Sequence, residues 1–92
     1  MVRIHYSAQL ASIAGVHDEQ IEIEENSPLA HLLQMLAERH GERFSRFFFD
    51  SQGRANRSAI VSVNEEQVLD YKEFLMKSHH REILILTPMS GG

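Results

Sequence analysis

Apolar and polar residues alternate along this chain with two different periods. Near the start, "VRIHYSAQL" sets Val, Ile and Tyr among polar residues in an imperfect two-residue alternation. After a turn region containing Gly15, "EQIEIE" alternates cleanly, with Ile21 and Ile23 on one face and acids on the other. The two runs predict an antiparallel hairpin with one buried face. The period then lengthens. Leu29, Leu32, Leu33 and Leu36 are spaced as one stripe of an amphipathic helix, predicted over about residues 28–40. Ser27 suits the N-cap, Pro28 the first helical position and Gly41 the stop. A capping box is absent, because Ala30 stands three residues after Ser27. His31 and His40 are expected on the solvent side of this helix.

Beyond the helix, "RFSRFFFDSQGR" carries Phe47, Phe48 and Phe49 before a turn at Asp50 to Gly53. In strand geometry Phe47 and Phe49 share a face and Phe48 takes the other. The run therefore reads as a core strand, or as one that leaves an aromatic such as Phe48 free to meet a partner. "AIVSV" predicts a strand, "NEEQV" a polar turn with a short continuation, and "LDYKEFLMKSHH" a loop with a helical turn. "EILILTP" is apolar almost throughout, which predicts a central strand covered on at least one face. Pro88 has no N–H to donate and biases Thr87 to an extended backbone. The sheet should end near Thr87, and residues 88–92 should leave it as a flexible, extended arm.

The element order is strand, strand, helix, strands, strand. It predicts an α+β fold, a mixed sheet packed on one main helix in a single domain over residues 1–87. The β-grasp arrangement of ubiquitin-like proteins satisfies that order. A ferredoxin-like fold would want a second well-formed helix, and the segment from Leu69 to Met76 is too weak to supply it.

Composition narrows the function. Ninety-two residues, 42% apolar and 24% charged, describe one small globular domain with little room for a deep active site beside its core. No run approaches the roughly 20 apolar residues of a membrane span. The opening "MVRIHYSAQL" lacks an apolar signal core, so a cytoplasmic protein is expected. Without cysteine there is no disulfide framework, thiolate nucleophile or Cys-type zinc site. The net charge is −4, and five acids lie between Asp18 and Glu25, which argues against a nucleic-acid partner. "DEQIEIEE" reads as a solvated strand face, or, through Glu22 and Glu24, as an acidic surface that steers a basic partner.

Catalytic signatures are thin. The adjacent pair His79–His80 would point to opposite faces of a strand with no other ligand type near, so no metal site is expected. Ser7, Ser12, Ser58, Ser62 and Ser90 lack a G-x-S-x-G context, and the acids form no paired motif with a pocket. No Gly-rich phosphate loop is present. The chain is not expected to be an enzyme on its own.

The ending "TPMSGG" reads either as a frayed terminus or as chemistry on an arm. The five residues from Pro88 can reach roughly 16–18 Å. Glycine has no side chain, so a terminal carboxylate on Gly-Gly can enter a channel closed to any other residue. Delivered to a partner enzyme, it can attack the α-phosphate of ATP to form an acyl-adenylate. That activated acyl group can then accept sulfur or pass to an amine.

"EILILTPMSGG", Asn64 after "IVSV", and the helix "SPLAHLLQMLAERHG" together resemble the MoaD/ThiS group of sulfur carriers. This group includes the small subunit of molybdopterin synthase and the thiamine-pathway sulfur carrier. The likeness spans essentially the whole chain, and its specific part is the last strand with "SGG". It implies a β-grasp fold, with Gly92 adenylated by a ubiquitin-activating-type enzyme and converted to a thiocarboxylate. Gly91 would fit the partner's channel, with Ser90, Met89 and Pro88 in the stalk. The resemblance implies no permanently bound cofactor, ATP consumed by the activating partner, and a synthase subunit that accepts the sulfur for a molybdopterin-like cofactor or another sulfur metabolite. Where members often carry Gly-Asp before the last strand and Pro-Pro at its end, this chain has His80–Arg81 and Thr87–Pro88; Glu65–Glu66 replaces a glycine turn. The pathway therefore stays open. A ubiquitin-like modifier joined to lysines of other proteins through Gly92 needs the same tail, and a binding module with incidental glycines is the third reading.

Overall fold

The computed structural model describes residues 1–54, 56 and 58–87. Strand β1 (Val2–Tyr6) leads into helix α1 (Ala8–Ala14) and strand β2 (Asp18–Ile21). Helices α2 (Leu29–His40) and α3 (Glu42–Ser45) follow, then β3 (Ile60–Val63), β4 (Glu66–Val68) and β5 (Glu82–Leu86). The five strands form one sheet in the order β2-β1-β5-β3-β4. β1 and β5 are parallel and the other pairings antiparallel, which makes the sheet mixed, with the last strand at its centre as its apolar sequence predicts.

Alternation decides which side of each strand is buried. Val2, Ile4 and Tyr6 of β1, Val61 and Val63 of β3, and Ile83 and Ile85 of β5 all turn inward. They share one core cluster with the α2 stripe Leu29, Leu32, Leu33 and Leu36. Each such side chain, fully buried, stabilises the fold by about 1.5–3 kcal/mol relative to exposure. The helix of the predicted stripe is therefore the one the sheet grasps.

Four local expectations change. The first strand stops at Tyr6, and Ala8 to Ala14 coil into α1 instead of continuing it. "AQLASIA" is rich in strong helix formers, buries Leu10 and Ala11, and ends at Gly15, whose φ of 82° suits glycine. β2 ends at Ile21, and Ile23 packs half-buried against the core outside any strand.

At the start of α2, Pro28 occupies the capping position, and the Ser27 hydroxyl donates to the Glu24 carbonyl. The helix has no need of that hydroxyl. The first-turn N–H groups of Leu29 and Ala30, which have no acceptor within the helix, donate to the Phe74 and Tyr71 carbonyls at 2.8 and 2.9 Å.

The phenylalanine run is not a strand. α3 and the turn after it carry Phe44 and Phe48 into the core, both fully buried, with ring centroids 5.3 Å apart. Phe48 therefore corrects from candidate partner contact to core residue; Phe49 is buried and Phe47 half-buried.

Candidate functional site

The arm expected over Pro88, Met89, Ser90, Gly91 and Gly92 lies outside the described residues, and Thr87 is the described residue that precedes it. β5 delivers Thr87 to the end of the sheet beside Ser7, the residue between β1 and α1. Ser7 N–H donates to the Ile85 carbonyl at 2.9 Å, and Thr87 N–H donates to Ser7 Oγ at 3.2 Å. The hydroxyls of Ser7 and Thr87 lie 3.0 Å apart, close enough for one to donate to the other. Both groups are part-buried.

The sheet face opposite α2 is open. There Leu84, Leu86 and Ile60 remain 41%, 39% and 42% exposed, although the inward residues between them are buried. Register places Ile60 across from Leu86 and Ser62 across from Leu84, with His5 on Leu84's other side. An apolar strip thus runs up the outer face to the root of the arm. It is bordered by the His5–Glu82 and Arg3–Asp18 pairs. Beside it, Ser62, Asn64, Glu65, Arg81, Glu82 and Leu84 line a shallow depression. Asn64 shapes that rim: it adopts φ 49°, and its Oδ1 accepts from the Arg81 and Glu82 N–H groups at 2.9 and 3.1 Å.

Glu22 and Glu24 are exposed, but they follow the end of β2 that pairs with Val2, at the far end of β1 from Ser7. They line a small cleft with Ile23, His31 and Met35. The structure does not bring them near Thr87.

A second polar centre lies on the core side. Glu19 accepts from Tyr6 Oη at 2.5 Å, from Arg39 at 2.6 Å and from His40 Nε2 at 2.6 Å. Burial alone would push the Glu19 carboxyl up; the hydrogen bonds from Tyr6, His40 and Arg39 outweigh it and hold it below the ordinary value. Burial, reinforced by the hydrogen bond to Glu19, pushes the Tyr6 phenol far up. His40, expected in solvent, has a side chain only 9% exposed and packs against Phe44 with ring centroids 5.1 Å apart. The cluster ties β1 and β2 to the end of α2 through a Glu19 side chain only 13% exposed, which makes it a structural clasp.

His79 and His80 sit in a turn with their rings 4.2 Å apart, rather than on opposite strand faces. His80 Nδ1 accepts from the Lys77 N–H at 2.8 Å, and burial, then the neighbouring His79, lowers its basicity. Among the described residues no three His, Asp or Glu side chains group to hold a metal ion, and no helix is long and apolar enough to cross a membrane.

The ThiS family model matches residues 4–92, the last strand and the tail included. The chain belongs to the ThiS family. Solved structures agree with the fold at low identity. SAMP1 from Haloferax volcanii superimposes with a TM-score of 0.79 at 21% identity, over 99% of this chain and 98% of that one. A protein assigned as molybdopterin converting factor, subunit 1, from Pyrococcus furiosus gives 0.72 at 24% identity, over 95% of each chain. Urm1 from Sulfolobus solfataricus gives 0.65 at 12% identity, over 92% of this chain and 97% of that one. Among curated proteins no sequence match reaches significance. The fold is the ubiquitin-like β-grasp.

The apolar strip and Ser7 are the parts of the site that sequence reading missed. A signal for the strip was present. Four apolar positions in a row, Ile83 to Leu86, on a central strand require either two covered faces or one uncovered apolar face, and a single main helix covers only one.

Proposed function

We propose that this ThiS-family chain is a sulfur carrier that works through the carboxylate of Gly92. The observation that carries the reading is the junction at Thr87. The central strand of the sheet ends there, pinned to Ser7 and flanked by an uncovered apolar strip, and "PMSGG" follows it in sequence. A rigid root, a docking face and a side-chain-free terminus are what a protein needs to present its own end to another enzyme's site.

In this reading the carrier is not a catalyst. An activating enzyme docks on the strip of Ile60, Leu84 and Leu86 and receives Gly91 and Gly92 in a narrow channel. A Gly92 carboxylate oxygen attacks the α-phosphorus of ATP and pyrophosphate leaves. A hydrosulfide equivalent then attacks the acyl carbon and AMP departs, leaving a thiocarboxylate. The Ser90, Met89 and Pro88 segment supplies reach, and a synthase subunit accepts the sulfur in the cytoplasm. The ThiS-family match through residue 92 supports this chemistry.

A structural neighbour, small archaeal modifier protein 1 from Haloferax volcanii, supports conjugation as the second reading. Intact mass of the protein from cells that hold its partners separates them. One oxygen-to-sulfur exchange mapped to Gly92 is the expected result. Isopeptide-linked conjugates without that exchange would make it a modifier, and neither species after incubation with ATP and an activating enzyme would overturn both.

A further inference from the structure

Ser7 is an N-cap residue that does not cap its helix. Such a serine ordinarily turns its hydroxyl onto an N–H of the first helical turn, and α1 receives no side-chain bond from it. The hydroxyl faces the other way, onto Thr87.

The reason lies in the parallel ladder between β1 and β5. Ser7 N–H donates to the Ile85 carbonyl, so a regular parallel ladder would continue with Thr87 N–H donating to the Ser7 carbonyl. That carbonyl is already turned into α1, where it accepts from Ala11 N–H at 2.8 Å. The start of the helix removes the next rung, and the Ser7 side chain replaces it. Pro88 restricts Thr87 from the other direction, because the residue before proline is held extended. Thr87 is therefore held by its N–H, its hydroxyl and its successor, all at the point where the chain leaves the sheet.

We propose that Ser7 is a positioning residue that sets the direction in which the C-terminal arm leaves the fold. The inference rests on the carrier reading above and adds to it. Without the Ser7 hydroxyl, the last tie on the β1 side moves back to the Ile85 carbonyl and the chain is held at its end only by Leu86 opposite Ile60 on β3, so the arm sweeps a wider cone. Docking is unaffected, because Ile60, Leu84 and Leu86 stay where they are. What falls is the fraction of docked carriers whose terminus is aligned with ATP, and small misplacements of a reacting group are costly.

The test is ATP–pyrophosphate exchange by the activating enzyme on the full chain, comparing Ser7→Ala, Ser7→Thr and the unaltered protein, with Thr87 amide hydrogen exchange followed by NMR. Ser7→Ala is expected to lower kcat roughly tenfold with little change in KM, to speed exchange at the Thr87 amide, and to leave the amides of α2 and β1 protected. Ser7→Thr, which keeps the hydroxyl, is expected to restore both. Full kcat in Ser7→Ala despite a freed Thr87 amide would overturn the proposal, as would a Ser7→Thr variant as slow as Ser7→Ala. Loss of protection throughout α2 and β1 in Ser7→Ala would make Ser7 a fold residue and also overturn it. No exchange by the unaltered protein would instead sink the carrier reading, and the positioning role with it.

Discussion

The phenol of Tyr6 donates to Glu19 at 2.5 Å, joining an inward residue of β1 to the edge strand beside it. Arg39 and His40 reach the same carboxylate from the end of α2, so three side chains from two elements converge on one acid carried by a third.

That convergence gives stability a pH dependence on the acid side. The folded state holds Glu19 below its ordinary value of 4.5. Its contribution is therefore complete above about that pH and is lost as pH falls through the lower folded value. Glu19→Gln is expected to destabilise by about 1.5–3 kcal/mol near neutrality and to flatten the acid limb of a denaturation curve. Urea titrations at a series of pH values check it; an unchanged acid limb in the variant would remove Glu19 from the account.

Tyr6 adds a limb at the other end. Its folded value is raised above the ordinary 10.0, so the stabilisation is full below that pH and declines as pH rises beyond it. Ultraviolet titration should show Tyr6 staying protonated after the tyrosines of the unfolded chain have begun to ionise. Tyr6→Phe should abolish the difference.

Core and tail should separate cleanly. Leu32→Ala, in the buried stripe of α2, is expected to cost about 2–5 kcal/mol, and Phe48→Ala about 3–5 kcal/mol. Removal of Gly92 should leave the melting temperature nearly unchanged and abolish activation. A Gly92 deletion that melted as early as Leu32→Ala would contradict a terminus standing clear of the core.

The open face gives the converse. Leu84→Arg changes an exposed side chain, so a shift within about 0.5 kcal/mol is expected. It should raise KM for the activating enzyme severalfold while kcat at saturation holds. Equal KM values for the two proteins would place docking elsewhere on the fold.

Much of the fold was legible because its signals are periodic. The leucine stripe marked α2, and the unbroken apolar run marked β5 as central, since each period translates directly into a buried face. The misses came where one residue answers to two neighbours. Glu19 shares the parity of Ile21, and His40 lies four residues beyond Leu36, so both belonged to apolar faces by the same arithmetic. They look like solvent residues only until the partner that neutralises each is known, and that partner is distant in sequence. Likewise Ser7 is one more β-compatible polar residue until α1 claims its carbonyl. The triple phenylalanine misled through composition, because a helix and turn can bury aromatic rings as completely as a strand.

The central place of β5 also has a mechanical meaning. A pull on Thr87 along the strand axis would not peel one edge of the sheet. It would load the hydrogen bonds to β1 and β3 together, in shear, with Ser7 carrying part of the force at the tip. An enzyme that grips the arm and draws it into a channel would therefore tow the whole domain, and the fold would act as a grapple rather than a thread that ravels.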